Sequence, residues 1–168
     1  MRITPVILLL IALATLMSSC ESVSCPLNNT VESVYGFYSS TRDESGNLLG
    51  GAAVSIGDSL TVSVAGMDTI LVNRLINKSS VSLPVSFYAD VDTLVFKFTD
   101  AEGVSAFDTV RMAKNNTLHF DDPSCSIHMF HEVLSVESTH QLIDTIIVVN
   151  PYINYDGLEN FQIYFFTE

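Results

Sequence analysis

From Val31 onward, apolar and polar residues alternate in short segments rich in Val, Ile, Phe, Tyr and Thr, broken about every ten residues by Gly, Asn, Asp, Ser or Pro. Leu94, Phe96 and Phe98 alternate with Thr93, Val95 and Lys97, and Phe161, Ile163 and Phe165 alternate with Gln162, Tyr164 and Phe166. A period of two places each set on one face of a sheet. The same reading predicts strands over 31–38, 59–64, 69–75, 81–88, 104–112, 117–121, 142–149 and 158–166. The stretch 127–136 carries its apolar residues in doublets, Met129-Phe130 and Val133-Leu134, which fit either helical spacing or a bulged strand; the strand is the favoured reading. Arg42 to Asn47 and Asp100 to Gly103 have turn composition, the second between two strands and so a hairpin, while Asn150-Pro151-Tyr152 breaks a strand. These elements predict an all-β protein, a β-sandwich of immunoglobulin-like or transthyretin-like type with about 8 to 10 short antiparallel strands.

The N-terminus follows another pattern. A basic start at Arg2, an apolar run from Val6 to Met17 and the small residues Ser18-Ser19 precede Cys20, the layout of a secretory signal peptide. The run is too short to span a hydrocarbon core of about 30 Å as a helix. Ser18-Ser19-Cys20 resembles the lipobox of bacterial lipoproteins, in which the Cys becomes the first mature residue and carries palmitate-type acyl chains. The alternative is an ordinary signal peptide with Cys20 an incidental thiol. The expected organisation is residues 1–19 as signal peptide, 20–24 as lipidated tether and 25–168 as the sandwich.

Composition sharpens this. Across 168 residues the chain is 48% hydrophobic, with seven Lys or Arg against nineteen Asp or Glu. Removing residues 1–19 deletes Arg2 and no acid, so the formal charge moves from −12 to −13. Without clustered cations there is nothing to attract a phosphate backbone, and nucleic acid is not an expected partner. With Cys20 acylated, Cys25 and Cys125 remain, an even number in an oxidising compartment, and a disulfide between them is expected. Two buried thiols are the alternative; metal ligation lacks the spacing. A pinned Cys25 leaves only Glu21 to Ser24 between fold and anchor, which would hold the domain close to the membrane.

Catalytic templates find little. His131-Glu132-Val133-Leu134-Ser135 begins like a zinc-binding HExxH but has Ser135 where the second ligand belongs. His128 and His131 would face opposite sides of a strand. Asp90 with Asp92, Asp100 with Glu102, and Asp121 with Asp122 offer oxygen ligands without the spacing of a calcium loop, so turn and edge roles are favoured. No metal site, cofactor or enzymatic activity is expected. Tyr152 and Tyr155 could stack on a sugar or bury their rings. An Asp-Ser/Thr-apolar tripeptide occurs five times, centred on Ser59, Thr69, Thr93, Thr109 and Thr145. One reading is an Asp closing a turn before a strand-opening residue. The other is a resemblance to the general O-glycosylation acceptor of Bacteroidota-type bacteria.

Ser18-Ser19-Cys20, the early Cys25-Pro26, Cys125 after an Asp-rich turn and the closing aromatic strand 161–166 together resemble an uncharacterised family of small Bacteroidota-type lipoproteins, over most of the mature chain. The resemblance implies an extracytoplasmic all-β domain and carries no catalytic residues. The expected function is that of a non-enzymatic envelope lipoprotein, anchored in the outer membrane on its periplasmic face or at the cell surface, an accessory or binding module for an envelope protein or glycan. The alternative is an adhesion or filament component assembling by β-augmentation through edge strands such as the C-terminal one. No feature fixes an oligomeric state.

Overall fold

The structure is a computed structural model that describes Cys25 and residues 31–166. The predicted signal peptide, Cys20 and the 20–24 tether lie outside the described residues. Among the described residues there is no helix. Twelve strands follow in order: β1 Glu32–Ser39, β2 Thr41–Arg42, β3 Leu48–Gly50, β4 Ser59–Val64, β5 Ile70–Leu75, β6 Ser80–Pro84, β7 Val91–Thr99, β8 Ser105–His119, β9 His128–Ser138, β10 Ile143–Val148, β11 Tyr152–Ile153 and β12 Glu159–Phe165.

They form a β-sandwich. One sheet has the order β10-β12-β1-β6 and the other β11-β9-β8-β7-β4-β5, with β2 and β3 as a separate ribbon. Alternation explains which side chains fill the gap: β6 buries Val81 and Leu83 and exposes Ser80, Ser82 and Pro84. Tyr35 from the first sheet stacks on Phe161 beside it at 4.6 Å and meets Phe96 of the second edge-on at 5.8 Å. At the other end of the core, Phe165 of β12 meets Phe98 of β7 at 5.5 Å.

Several expectations are refined. The strand count exceeds 8 to 10 because β2, β3 and β11 are pieces of two or three residues. The sandwich is not wholly antiparallel: β1 and β12, first and last long strands, pair in parallel. The C-terminal strand is therefore not an edge, since β10 and β1 occupy both its sides. The segments 104–112 and 117–121 are one strand, β8, because the polar Lys114 and Asn116 between them are satisfied inside rather than turned out to a loop. The stretch 127–136 is a strand, and its doublets reflect a bulge: Ala113 pairs with Ser135 but Lys114 with Val133, leaving Leu134 as the extra, exposed residue. The β7–β8 turn places Gly103 at φ 86°, the positive value for which Gly is suited.

The ladders also define two ends. β7 and β8 pair from Thr99↔Ser105 to Val91↔Ala113, and β8 then runs on to His119, paired with β9. The β8–β9 hairpin thus overhangs β7 by about 20 Å. The N-terminus of β1 and the start of β12 lie at this end; Thr99, Ser105 and Phe165 lie at the other.

Candidate functional site

At the overhanging end, Cys25 and Cys125 stand at disulfide distance, with S–S 2.03 Å and Cα–Cα 5.6 Å. Cys125 lies in the loop joining β8 to β9, so the bond ties the residue that begins the described chain to the hairpin tip.

Behind the tip, on the outer face of the hairpin, rings collect around Tyr155. His119 stacks on Phe130 at 4.0 Å, and Tyr155 meets His119, His128 and Phe130 edge-on at 5.7, 5.4 and 4.9 Å. Asp121 accepts from the Tyr155 hydroxyl at 3.3 Å and lies 3.2 Å from His119 Nε2. Tyr155 is thus packed into a half-buried cluster, whereas Tyr152 stays exposed. His128 and His131 do face opposite sides of β9. His131 points inward, where its Nδ1 lies 2.8 Å from Asn116 Oδ1. That oxygen also accepts from Lys114, so Nδ1 carries the hydrogen. Burial, reinforced by the Lys114 charge, lowers the His131 pKa to about 4.

Lys114, itself buried, donates to Ser86 O at 2.9 Å, Ala89 O at 2.5 Å and Asn116 Oδ1 at 2.7 Å. Burial pulls its pKa down while Asp92 and Asp90 oppose. All three ammonium hydrogens are used, which leaves no free amine for nucleophilic chemistry. What Lys114 does is fasten residues 85–90, where the chain crosses from β6 to β7 in the other sheet. Two further crossings are fastened in the same way. Asp108 holds the β9–β10 crossing through Thr139 Oγ1, Gln141 N, Leu142 N and Ile143 N, at 2.7 to 2.9 Å. Asn160 sits at a bulge in β12, accepts from Val34 N at 3.0 Å and donates to Asn150 O and Tyr152 O at 3.1 and 2.9 Å. Sequence reading missed these three residues. The available signal was parity: Asp108 and Lys114 share the inward phase of Val110 and Met112.

The Asp pairs serve turns and this framework. Asp92 accepts from Ser86 N, Asp100 from Val104 N and Asp122 from Ser124 N. Among the described residues no group of three or more His, Cys, Asp or Glu is gathered where it could hold a metal ion.

The opposite end carries an open cleft of about 470 Å³. Ile56, Phe98, Leu142 and Phe165 give it an apolar floor, and Ser55, Asp58 and Gln141 place polar groups at its rim. This size and make-up suit a small ligand or a protruding side-chain group.

The five tripeptides separate by exposure. Asp68 and Thr69 in the β4–β5 turn and Ile70 at the start of β5 are all exposed. Ser59 opens β4, and Thr93, Thr109 and Thr145 are half-buried within β7, β8 and β10. Asp108 and Asp144 are buried, the latter gripped by Arg42 through Nε at 3.0 Å and Nη2 at 2.5 Å, with the Ser40 hydroxyl also bonded to it.

Neither the curated proteins nor the solved structures include a significant match to the chain. A family model does match, over residues 59–165, from β4 through the end of β12. The chain accordingly belongs to that family, a family of unknown function (DUF6452).

Proposed function

We propose that the protein is a non-enzymatic lipoprotein of the cell envelope, anchored in the outer membrane through Cys20, whose sandwich presents a binding cleft away from the lipid. The observation that carries this reading is the opposition of the two ends. The Cys25–Cys125 pair lies at one and the apolar cleft at the other, and Cys25 is five residues from the anchor cysteine. A chain held at the first end offers the second to an envelope protein or glycan. The full use of Lys114 and Asp108 in fastening crossings supports a module that binds rather than reacts. Thr69 is the favoured O-glycan acceptor in this reading.

The test is metabolic labelling of the full-length chain with a palmitate analogue, followed by membrane flotation. Labelled, floating protein that becomes unlabelled and soluble on Cys20→Ala is expected. An unlabelled wild-type chain that fractionates with soluble proteins would overturn the anchor.

A further inference from the structure

We infer that the β8–β9 hairpin tip, residues 118–127, lies against the lipid surface in which the protein is anchored. This rests on the reading of Cys20 as the acylated residue and goes beyond it by naming the face that meets the membrane.

Three observations converge. The tip projects past β7, so it is the part of its sheet that a flat surface placed at that end meets first. It carries Leu118, Phe120 and Ile127 at 53%, 55% and 50% exposure, large apolar side chains within ten residues that the second sheet does not cover. Cys125 stands between Phe120 and Ile127 and holds Cys25. The chain from Cys20 to Cys25 spans at most about 18 Å when fully extended. The acyl chains therefore stay within that reach of Cys25, which Cys125 holds on the same hairpin tip as these three side chains. Burying them at the interface is favourable in proportion to the apolar area removed from water. Orientation also follows, because one short tether alone would let the domain swivel whereas a second contact fixes it. With Asp121 and Asp122 on the same tip, the surface that fits is zwitterionic rather than anionic lipid.

The sequence contains no Trp, so an introduced one is a unique reporter. The full-length acylated chain is prepared as Phe120→Trp, Ile127→Trp and, at the opposite end, Leu49→Trp, and reconstituted into vesicles of phosphatidylcholine carrying bromine on its acyl chains. Expected is quenching of the reporters at positions 120 and 127 severalfold stronger than at 49. Vesicles that carry the protein but quench all three reporters alike would overturn the orientation and leave the anchor standing. Protein that fails to float with the vesicles would overturn the anchor, and the orientation with it. Two independent reporters at exposed positions guard against one of them disturbing the tip.

Discussion

Asp108 of β8 accepts the backbone N–H of Ile143 of β10 at 2.9 Å, so one buried side chain clasps the two sheets where the chain passes between them. The same carboxylate takes the N–H groups of Gln141 and Leu142. Asp108→Ala would leave three backbone donors without their acceptor, and a stranded buried group costs about 1–3 kcal/mol. With partial relaxation of the loop, a loss of about 3–5 kcal/mol in urea unfolding is expected. Asp108→Asn keeps one acceptor oxygen and should lose markedly less. A cost below about 1 kcal/mol for the alanine variant would refute the clasp.

The Tyr35 hydroxyl presents the reverse case. It is fully buried and has no hydrogen-bond partner at bonding geometry among the described residues, and burial, helped by the Asp92 charge, pushes its pKa up to about 12 against the lowering effect of the nearby Ser33 hydroxyl. Removing a polar atom that has no partner costs nothing in hydrogen bonding and relieves desolvation. Tyr35→Phe retains the ring contacts with Phe161 and Phe96 and is expected to leave stability unchanged or raise it by up to about 1 kcal/mol. Destabilisation beyond that amount would mean that the hydroxyl is held by an ordered water.

His131 supplies a pH dependence with a defined sign. Its folded pKa of about 4 lies below the ordinary 6.5 of an unfolded chain. Above pH 6.5 neither state binds the proton and stability is complete. Between 6.5 and 4 the unfolded chain binds it and the fold does not, so stability falls as pH falls, by ~3 kcal/mol in all. Asp144, held below its usual range chiefly by Arg42, adds a loss that starts lower, in the carboxylate range. Unfolding free energies measured from pH 8 to 4 should therefore decline through the first window in the wild type and much less in His131→Gln. Parallel curves would remove His131 as the cause.

How far the sequence reveals all this depends on parity. Period two located the strands, and the doublets at 129–130 and 133–134 resolved into a bulge at Leu134, a local feature written locally. The run Lys114-Asn115-Asn116 misled because polar residues at consecutive positions read as a loop, whereas Lys114 and Asn116 find carbonyl partners on a crossing some 25 residues away. Partnerships between distant segments carry no period, so neither the parallel β1–β12 pairing nor the cleft formed by Ile56, Phe98, Leu142 and Phe165 could be read from spacing. Cys25 and Cys125 were legible despite a separation of 100 residues, because cysteines are few enough to pair by counting.

That pair makes its own prediction. Closing a loop of this length restricts the unfolded chain by ~4.7 kcal/mol in the entropy model. Cys25→Ala with Cys125→Ala is expected to cost about 2–5 kcal/mol and to abolish the mobility difference between reduced and non-reduced gels. The sandwich core is built without either cysteine, so the double variant should still fold at moderate temperature, with hydrogen exchange accelerated first at the β8–β9 tip. Unchanged stability would show that the two thiols do not bond in the protein.

The exposed tripeptide at Thr69 discriminates among the five acceptor candidates by access. A transferase must draw an acceptor hydroxyl and its flanking residues into an active site, and a residue inside a paired strand can enter only if the ladder opens. Thr93 and Thr109 lie in β7 and β8, each paired on both sides, and Asp144 beside Thr145 is locked to Arg42. Asp68 and Thr69 lie open in the β4–β5 turn and Ile70 is exposed at the first position of β5, while Thr69 keeps a backbone bond from Val64 N but an exposed outward face. Protein isolated from its native host is therefore expected to carry its glycan at Thr69. Intact-mass measurement should show the added mass lost in Thr69→Ala and retained in Thr109→Val. Retention of the mass in Thr69→Ala would point to modification before folding, when all five sites are equally open, and exposure in the folded domain would then no longer select the site.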